Sequence, residues 1–389
     1  HHPILEYFFN ASNEIGIKKN TNLTTSIENQ VGHYNINTYK GTRHSSSKVF
    51  LKPVLKNPRL TVLDNTQVKN LIIKDKKITG IKIQNKSTEQ ILKLSHGAIL
   101  CSGSIMTPYL LMHSGIGDKE HLKQFDKEII IDNSNVGRNL QDHLGLDYLF
   151  KTHHHSLNKS LGTWPGRITS VLKYIYNRKG PLSLSINQSG GYVNWNSKHH
   201  YPNLQIYFNP LTYSITHKNK RPLLKTDKFN GFIIGYNSCR PKSLGRVALN
   251  SPNFEDAPLI DPNFLSHEED IYDVKCAINF SQVLANTNSI KKIRNESVTH
   301  DLLNATEEEM IDHFKSNAVS IYHPCGTCKM DEDPKKGVVS ERLKVHGMEN
   351  LWIADASVFP NITSGNINAP VMMLANLGSK FIIEDLNKI

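Results

Sequence analysis

Nothing in this 389-residue chain is apolar for long enough to cross a bilayer, and no secretory leader opens it. It begins His1-His2-Pro3 without an initiator methionine. The expectation is therefore a piece or processed product, for which a missing leader says nothing about location. Acidic residues are outnumbered, 46 − 35 giving a formal charge of +11. The lysines, however, are scattered (Lys74-Asp75-Lys76-Lys77, Lys335-Lys336) rather than gathered with aromatics into a strip, so no nucleic-acid surface is expected. Cysteine is scarce. The five lie at 101, 239, 276, 325 and 328, and Cys325-Gly326-Thr327-Cys328 has no second knuckle to complete a zinc tetrahedron and no βαβ setting for a redox dithiol. No metal is expected. Asn-x-Ser/Thr acceptors at Asn10, Asn22, Asn85, Asn295 and Asn304 lean toward a secretory, extracellular route. No internal repeat or low-complexity linker divides the chain.

The length exceeds one ordinary core, so two lobes are expected. Residues 1–30 open with a helix carrying the apolar face Ile4-Leu5-x-x-Phe8-Phe9. Residues 48–51 form a short apolar piece. Residues 60–63, 68–73, 78–83 and 91–94 read as a meander of four strands, with Asp64-Asn65 as a turn. Gly97-Ala98-Ile99-Leu100-Cys101 is a fully apolar strand. It runs into Ser102-Gly103-Ser104 and a helix from about Thr107-Pro108 to Met112, proline suiting its first turn and Gly115 its left-handed end. A ligand collects at such a strand's carboxyl end. After a short strand at 129–131, Asn135-Val136-Gly137-Arg138-Asn139-Leu140-Gln141-Asp142-His143 reads as a structural turn, because neighbours such as Asp142 and His143 seldom face each other.

Residues 144–320 change character. Segments at 190–195, 204–208, 232–236 and 245–249 suggest strands of a second sheet, interrupted by helices at 167–177 and 268–285. His153-His154-His155 cannot easily converge on one ion and reads as a solvated loop. Leu351-Trp352-Ile353-Ala354-Asp355 is a buried strand ending in an acid. Asn366-Ile367-Asn368-Ala369-Pro370 starts a closing helix through about Asp385, whose free N–H groups make an anion site.

Among 19 histidines, His323 stands out. Ile321-Tyr322-His323-Pro324-Cys325-Gly326-Thr327-Cys328-Lys329-Met330 holds an imidazole on a stiff loop, and imidazole is the side chain best suited to take a proton near neutrality.

Together these segments resemble the glucose-methanol-choline (GMC) oxidoreductases, in particular the insect glucose-dehydrogenase-like branch. Gly103 to Gly117 fits one of that family's two signature patterns without a gap. Asn135–His143, Tyr322–Met330, Asp355-Ala356-Ser357 and Asn366-x-Asn368-Ala369-Pro370 match further segments in the family's order. The resemblance implies an α/β (α+β) chain: an incomplete FAD-binding Rossmann-like domain plus a substrate domain with a mostly antiparallel sheet flanked by helices. The implied division is 1–143 (partial FAD-binding domain with the meander), 144–320 (substrate-binding, variable and lining the pocket) and 321–389 (catalytic loop and return segment).

The implied activity is FAD-dependent oxidation of an alcohol or sugar CH–OH, passing electrons to quinone or oxygen. His323 is the implied general base and Asn368 its partner. Val68, Asp355, Ala356, Ala369 and Pro370 are the implied cofactor contacts. Plain core for Val68, an ordinary strand-end acid for Asp355 and a helix cap for Asn368 remain open readings. A flavin-containing hydroxynitrile lyase-like protein or a non-catalytic degenerate member is the rival function.

The family's Gly-x-Gly-x-x-Gly phosphate cradle and its first signature do not occur, Gly115-x-Gly117 lacking the third glycine. The expectation is thus a carboxyl-terminal two-thirds that holds FAD poorly.

Overall fold

A computed structural model describes residues 1–24, 27–218, 221–299 and 301–387. The chain forms two compact units. One comprises 1–54, 144–239 and 271–319; the other comprises 55–143, 240–270 and 320–389.

In the first unit the amino-terminal helix is shorter than expected, Leu5–Glu14, with Leu5, Phe8 and Phe9 buried. Phe8 stacks on Phe208 at 5.0 Å. The sheet it covers runs Lys18–Lys19, Gln30–His33, Ser189–Val193, Leu204–Asn209, Gly231–Ser238, Leu144–Lys151 in spatial order. The first pair is parallel and the following ones antiparallel. Leu204–Asn209 is buried at every position, which is why it reads as a continuous apolar and aromatic run rather than an alternation. The Gly190-Gly191 pair is a close-approach feature: a Cβ on Gly190 would lie 1.9 Å from Ile206 O and 2.6 Å from the Tyr34 ring. The same unit holds the helices Leu157–Gly162, Trp164–Asn177, Asn288–Ile293 and Glu307–Asn317, most of the helix Glu268–Ala285, and the hairpin Tyr213–Lys218/Arg221–Thr226.

The second unit carries the segments that drew attention in the sequence. The meander has three strands, Thr66–Lys74, Lys77–Asn85 and Thr88–Lys93. The expected fourth, at 60–63, is irregular, and Leu60, Val62 and Leu63 are exposed. The short apolar piece lies in a π-helical turn at residues 47–51. Ala98–Leu100 pairs in parallel with Leu351–Ile353, bringing two strand ends 253 positions apart to one edge. Contrary to expectation, Gly245–Ala248 does not extend the large sheet; it pairs antiparallel with Arg138–Leu140 and Leu259–Asp261.

The helix after Ala98–Leu100 spans Gly103–His113, so Pro108 is interior, not in the first turn. An interior proline frees the carbonyl four residues back. Here that carbonyl, Ser104 O, accepts from the Thr327 hydroxyl at 2.6 Å. The proline's cost is offset by a bond to the loop that carries His323. The closing helix spans Asn368–Leu386.

Candidate active site

His323 is held from several sides. Ser104 Oγ donates to Pro324 O at 2.8 Å, beside the Thr327–Ser104 bond already described. Cys325 exchanges backbone bonds with Gln141 (2.9 and 3.0 Å), Gly326 N donates to Ala356 O and Cys328 N to Ser357 O. Gly326 turns at φ +89°, where a Cβ would meet Asn139 O at 2.5 Å. Tyr322, immediately before the histidine, is itself left-handed at φ +66°, an uncommon setting for an aromatic residue that its surroundings must impose. The loop is stiff because it is docked onto the Gly103–His113 helix, the Arg138–Leu140 strand and the Ala356–Val358 turn, and only secondarily because of Pro324.

Asp142 and His143 are part of this centre. One Asp142 oxygen, Oδ1, accepts from both His143 N and His323 N at 2.8 Å, and Oδ2 accepts from the Ser320 hydroxyl. The two neighbours indeed do not face each other; both face the His323 loop. Burial outweighs these bonds and raises the Asp142 carboxyl above its usual range. Fully buried His143 lies with Nδ1 3.0 Å from His323 Nδ1, the rings edge-on at 84°.

On the other side of the ring, Asn366 Nδ2 is 3.0 Å from His323 Nε2. An amide nitrogen can only donate, so Nε2 must be the accepting nitrogen. Neutral His323 then carries its proton on Nδ1 and gives it to His143 Nδ1, whose own proton sits on Nε2. Burial lowers the His323 pKa to about 4, so the ring is neutral near pH 7 with its lone pair on Nε2.

Asn366, not Asn368, therefore meets the imidazole. Asn368 is exposed at the first position of the closing helix, and its side chain makes no hydrogen bond among the described residues. Nor does it cap that helix: Ile367 occupies the cap position, with no side-chain cap, and Pro370 is the third helical residue.

Asp355 joins the two strand ends. Its Oδ2 accepts from Gly103 N at 2.9 Å and from the Thr107 hydroxyl at 2.6 Å, and its Oδ1 accepts from Ser357 N at 2.8 Å. Ala356 is buried beside it, Ala369 is exposed and Pro370 half-buried. Val68 pairs with Ile83 and packs half-buried against the unit's core. Cys325 and Cys328 are free and buried; burial pushes the first thiol up to about 12 and the second well above its usual value. His153, His154 and His155 are exposed.

A neutral base that accepts at Nε2, an amide donor beside it and the free N–H groups of an uncapped helix start two residues on make a set of one acceptor and several donors. It suits the reacting end of a flavin, where an alcohol loses a proton and the reduced ring gains negative charge.

The comparisons with known proteins agree. Two GMC oxidoreductase family models match, one over residues 1–145 and the other over 241–375. The alcohol dehydrogenase [acceptor] of Pseudomonas putida is 32% identical over 388 residues, which cover 99% of this chain and 69% of that protein. The oxygen-dependent choline dehydrogenase of Cronobacter sakazakii is 29% identical over 340 residues, 87% of this chain and 59% of that one. A formate oxidase crystal structure superposes with a TM-score of 0.89 at 24% identity, over 99% of this chain and 71% of that chain, which supports the fold.

The chain belongs to the GMC oxidoreductase family, flavoproteins that use FAD to oxidise CH–OH groups. The expected α/β architecture holds. The expectation of a carboxyl-terminal part alone does not, because the amino-terminal family model matches as well. The two relatives named are an alcohol and a choline dehydrogenase, which does not single out the glucose-dehydrogenase-like branch.

Proposed function

We propose that His323 is the general base for alcohol oxidation and that Asn366 is its partner on the substrate hydroxyl. The observation that carries this is the 3.0 Å pairing of an accepting imidazole nitrogen with a donating amide. A hydroxyl needs one acceptor for its proton and one donor for its oxygen. Nε2 and Nδ2 are that pair, and a hydroxyl parting them satisfies both.

FAD, when bound, supplies the acceptor for the hydride. The chain's own work is to hold the hydroxyl, take its proton at Nε2 and keep the new imidazolium oriented through Nδ1–H to His143. Asp142 fixes the backbones of both histidines and acts as a positioning residue. We place Ala369, Pro370 and the free N–H groups of the closing helix against the flavin ring. We place Asp355, Ala356 and Val68 farther along the cofactor, Asp355 through the oxygen lone pairs its internal bonds leave over.

The substrate reading is a small alcohol, with a sugar, as in the glucose-dehydrogenase-like branch, as the narrower form. The acceptor reading is quinone or oxygen, and the Asn-x-Ser/Thr sites favour a secretory route. The test is anaerobic titration of the FAD-loaded protein with primary alcohols, choline and hexoses, with product carbonyls identified. Bleaching of the flavin by one class, with a matching aldehyde, ketone or lactone, is expected. No bleaching by any of them would refute the oxidoreductase reading of this site.

A further inference from the structure

The helix Trp164–Asn177 turns its apolar side outward. Thr163 starts it, its hydroxyl accepting from Gly166 N at 3.3 Å. Gly166 is where the helix meets the preceding turn: a Cβ there would lie 2.5 Å from Lys159 O and 2.6 Å from Ser160 O. Ser170, one turn later, is its buried residue. Opposite this contact face lie Trp164, Ile168, Val171, Leu172 and Ile175, spaced i, i+4, i+7, i+8, i+11, the pattern of one helical face. Their exposures are 75%, 53%, 44%, 60% and 66%. The same spacing in a helix serving its own core would be buried.

An outward apolar stripe alone fits several occupants, and charge decides between them. Arg167 is exposed on one border of the stripe, Lys173 is exposed on the side of the helix away from it, and Arg178 and Lys179 follow its end. No Asp or Glu occurs anywhere from residue 148 to residue 226, a stretch of 79 residues holding 11 Lys and Arg. Lys151 pairs with Glu296 from outside the stretch, and the stretch itself supplies no carboxylate to its other cations. An apolar face with aromatic residues at its two ends (Trp164 and Tyr176) and only positive charges near it is the physical description of a helix lying in a lipid–water interface. The absence of acids selects an anionic lipid surface.

We propose that residues 164–177 seat this protein on an anionic bilayer, the helix lying in the plane of the interface. The seat is independent of the His323 chemistry.

The experiment is vesicle sedimentation of the full chain with phosphatidylcholine alone and with 30% phosphatidylglycerol, at low and high salt. The expected result is binding to the anionic vesicles that is at least about tenfold stronger than to the neutral ones and falls with salt. Leu172→Glu/Ile175→Glu should abolish it while far-UV circular dichroism and the thermal midpoint stay unchanged, since both side chains are exposed. Lys173→Gln/Arg178→Gln should weaken it about fivefold for each charge removed, at about 1 kcal/mol per basic residue; this variant carries the test if the acidic one misfolds. Equal binding to both vesicle types, or unchanged binding of Leu172→Glu/Ile175→Glu, would overturn the proposal. So would light scattering that shows a dimer dissolved by the same substitutions, which would assign the face to a second copy of the chain.

Discussion

Replacing Asn366 by alanine, with Asn368→Ala as its control, separates two residues of identical chemistry two positions apart. Asn366 Nδ2 lies 3.0 Å from His323 Nε2, whereas the Asn368 side chain is exposed and unbonded among the described residues. In the proposed reaction the Asn366 donor holds a hydroxyl oxygen that gains negative charge as its proton leaves. A hydrogen bond to a charged group contributes about 1.5–3 kcal/mol, and a donor aimed at developing charge about 3–4 kcal/mol. At 1.36 kcal/mol per factor of ten, Asn366→Ala should lower the rate of flavin reduction by about 10- to 1000-fold. Asn368→Ala should stay within about threefold. The assay is anaerobic stopped-flow bleaching of the FAD-loaded variants. A second readout is independent of turnover: in the protein without substrate, the Nε2 15N shift of His323 should move with Asn366→Ala and remain in place with Asn368→Ala. The reverse order of effects would refute the assignment.

Asp142→Ala leaves the buried His143 and His323 N–H groups without their acceptor, at about 1–3 kcal/mol each; for a unit of this size the thermal midpoint should fall by about 5–15 °C by calorimetry. Gly326→Ala puts a Cβ 2.5 Å from Asn139 O on a left-handed backbone, so it should destabilise by at least about 2 kcal/mol in denaturant titration and loosen the His323 loop. Because the folded-state pKa of His323, about 4, lies below the usual 6.5, the unfolded chain binds the extra proton between those values. That share of stability is fully present above pH 6.5 and is lost as pH falls toward 4, on the order of 2 kcal/mol by pH 5. Denaturant titrations of the parent and His323→Gln across pH 4.5–7.5 should differ in slope by about one proton.

The fold class was legible because its signals are local: a fully apolar strand before Ser102-Gly103, an alternating ribbon at 66–93, and the Gly190-Gly191 pair at a crowded crossing. What sequence could not rank was which member of a segment turns inward. Asn366 and Asn368 straddle the start of a helix, and one residue of backbone geometry at Ile367 decides that the first reaches the imidazole. Asp142 and His143 looked structural because their partners lie 178 to 181 positions away, on the His323 loop. The interior Pro108 was misplaced for the same reason, its compensating donor being Thr327, 223 positions on from Ser104. The irregular stretch at 60–63 has strand-like residues but exposes three of them, so composition without a covering surface misled.

The central claim is that a neutral His323 removes the hydroxyl proton. The most direct measurement is the limiting rate of anaerobic flavin reduction by a reducing alcohol in the parent and in His323→Gln, at matched FAD content. A general base contributes about 10²- to 10⁴-fold, so a loss of that size, with cofactor binding retained, is predicted. Reduction of His323→Gln at the parent's rate would contradict it.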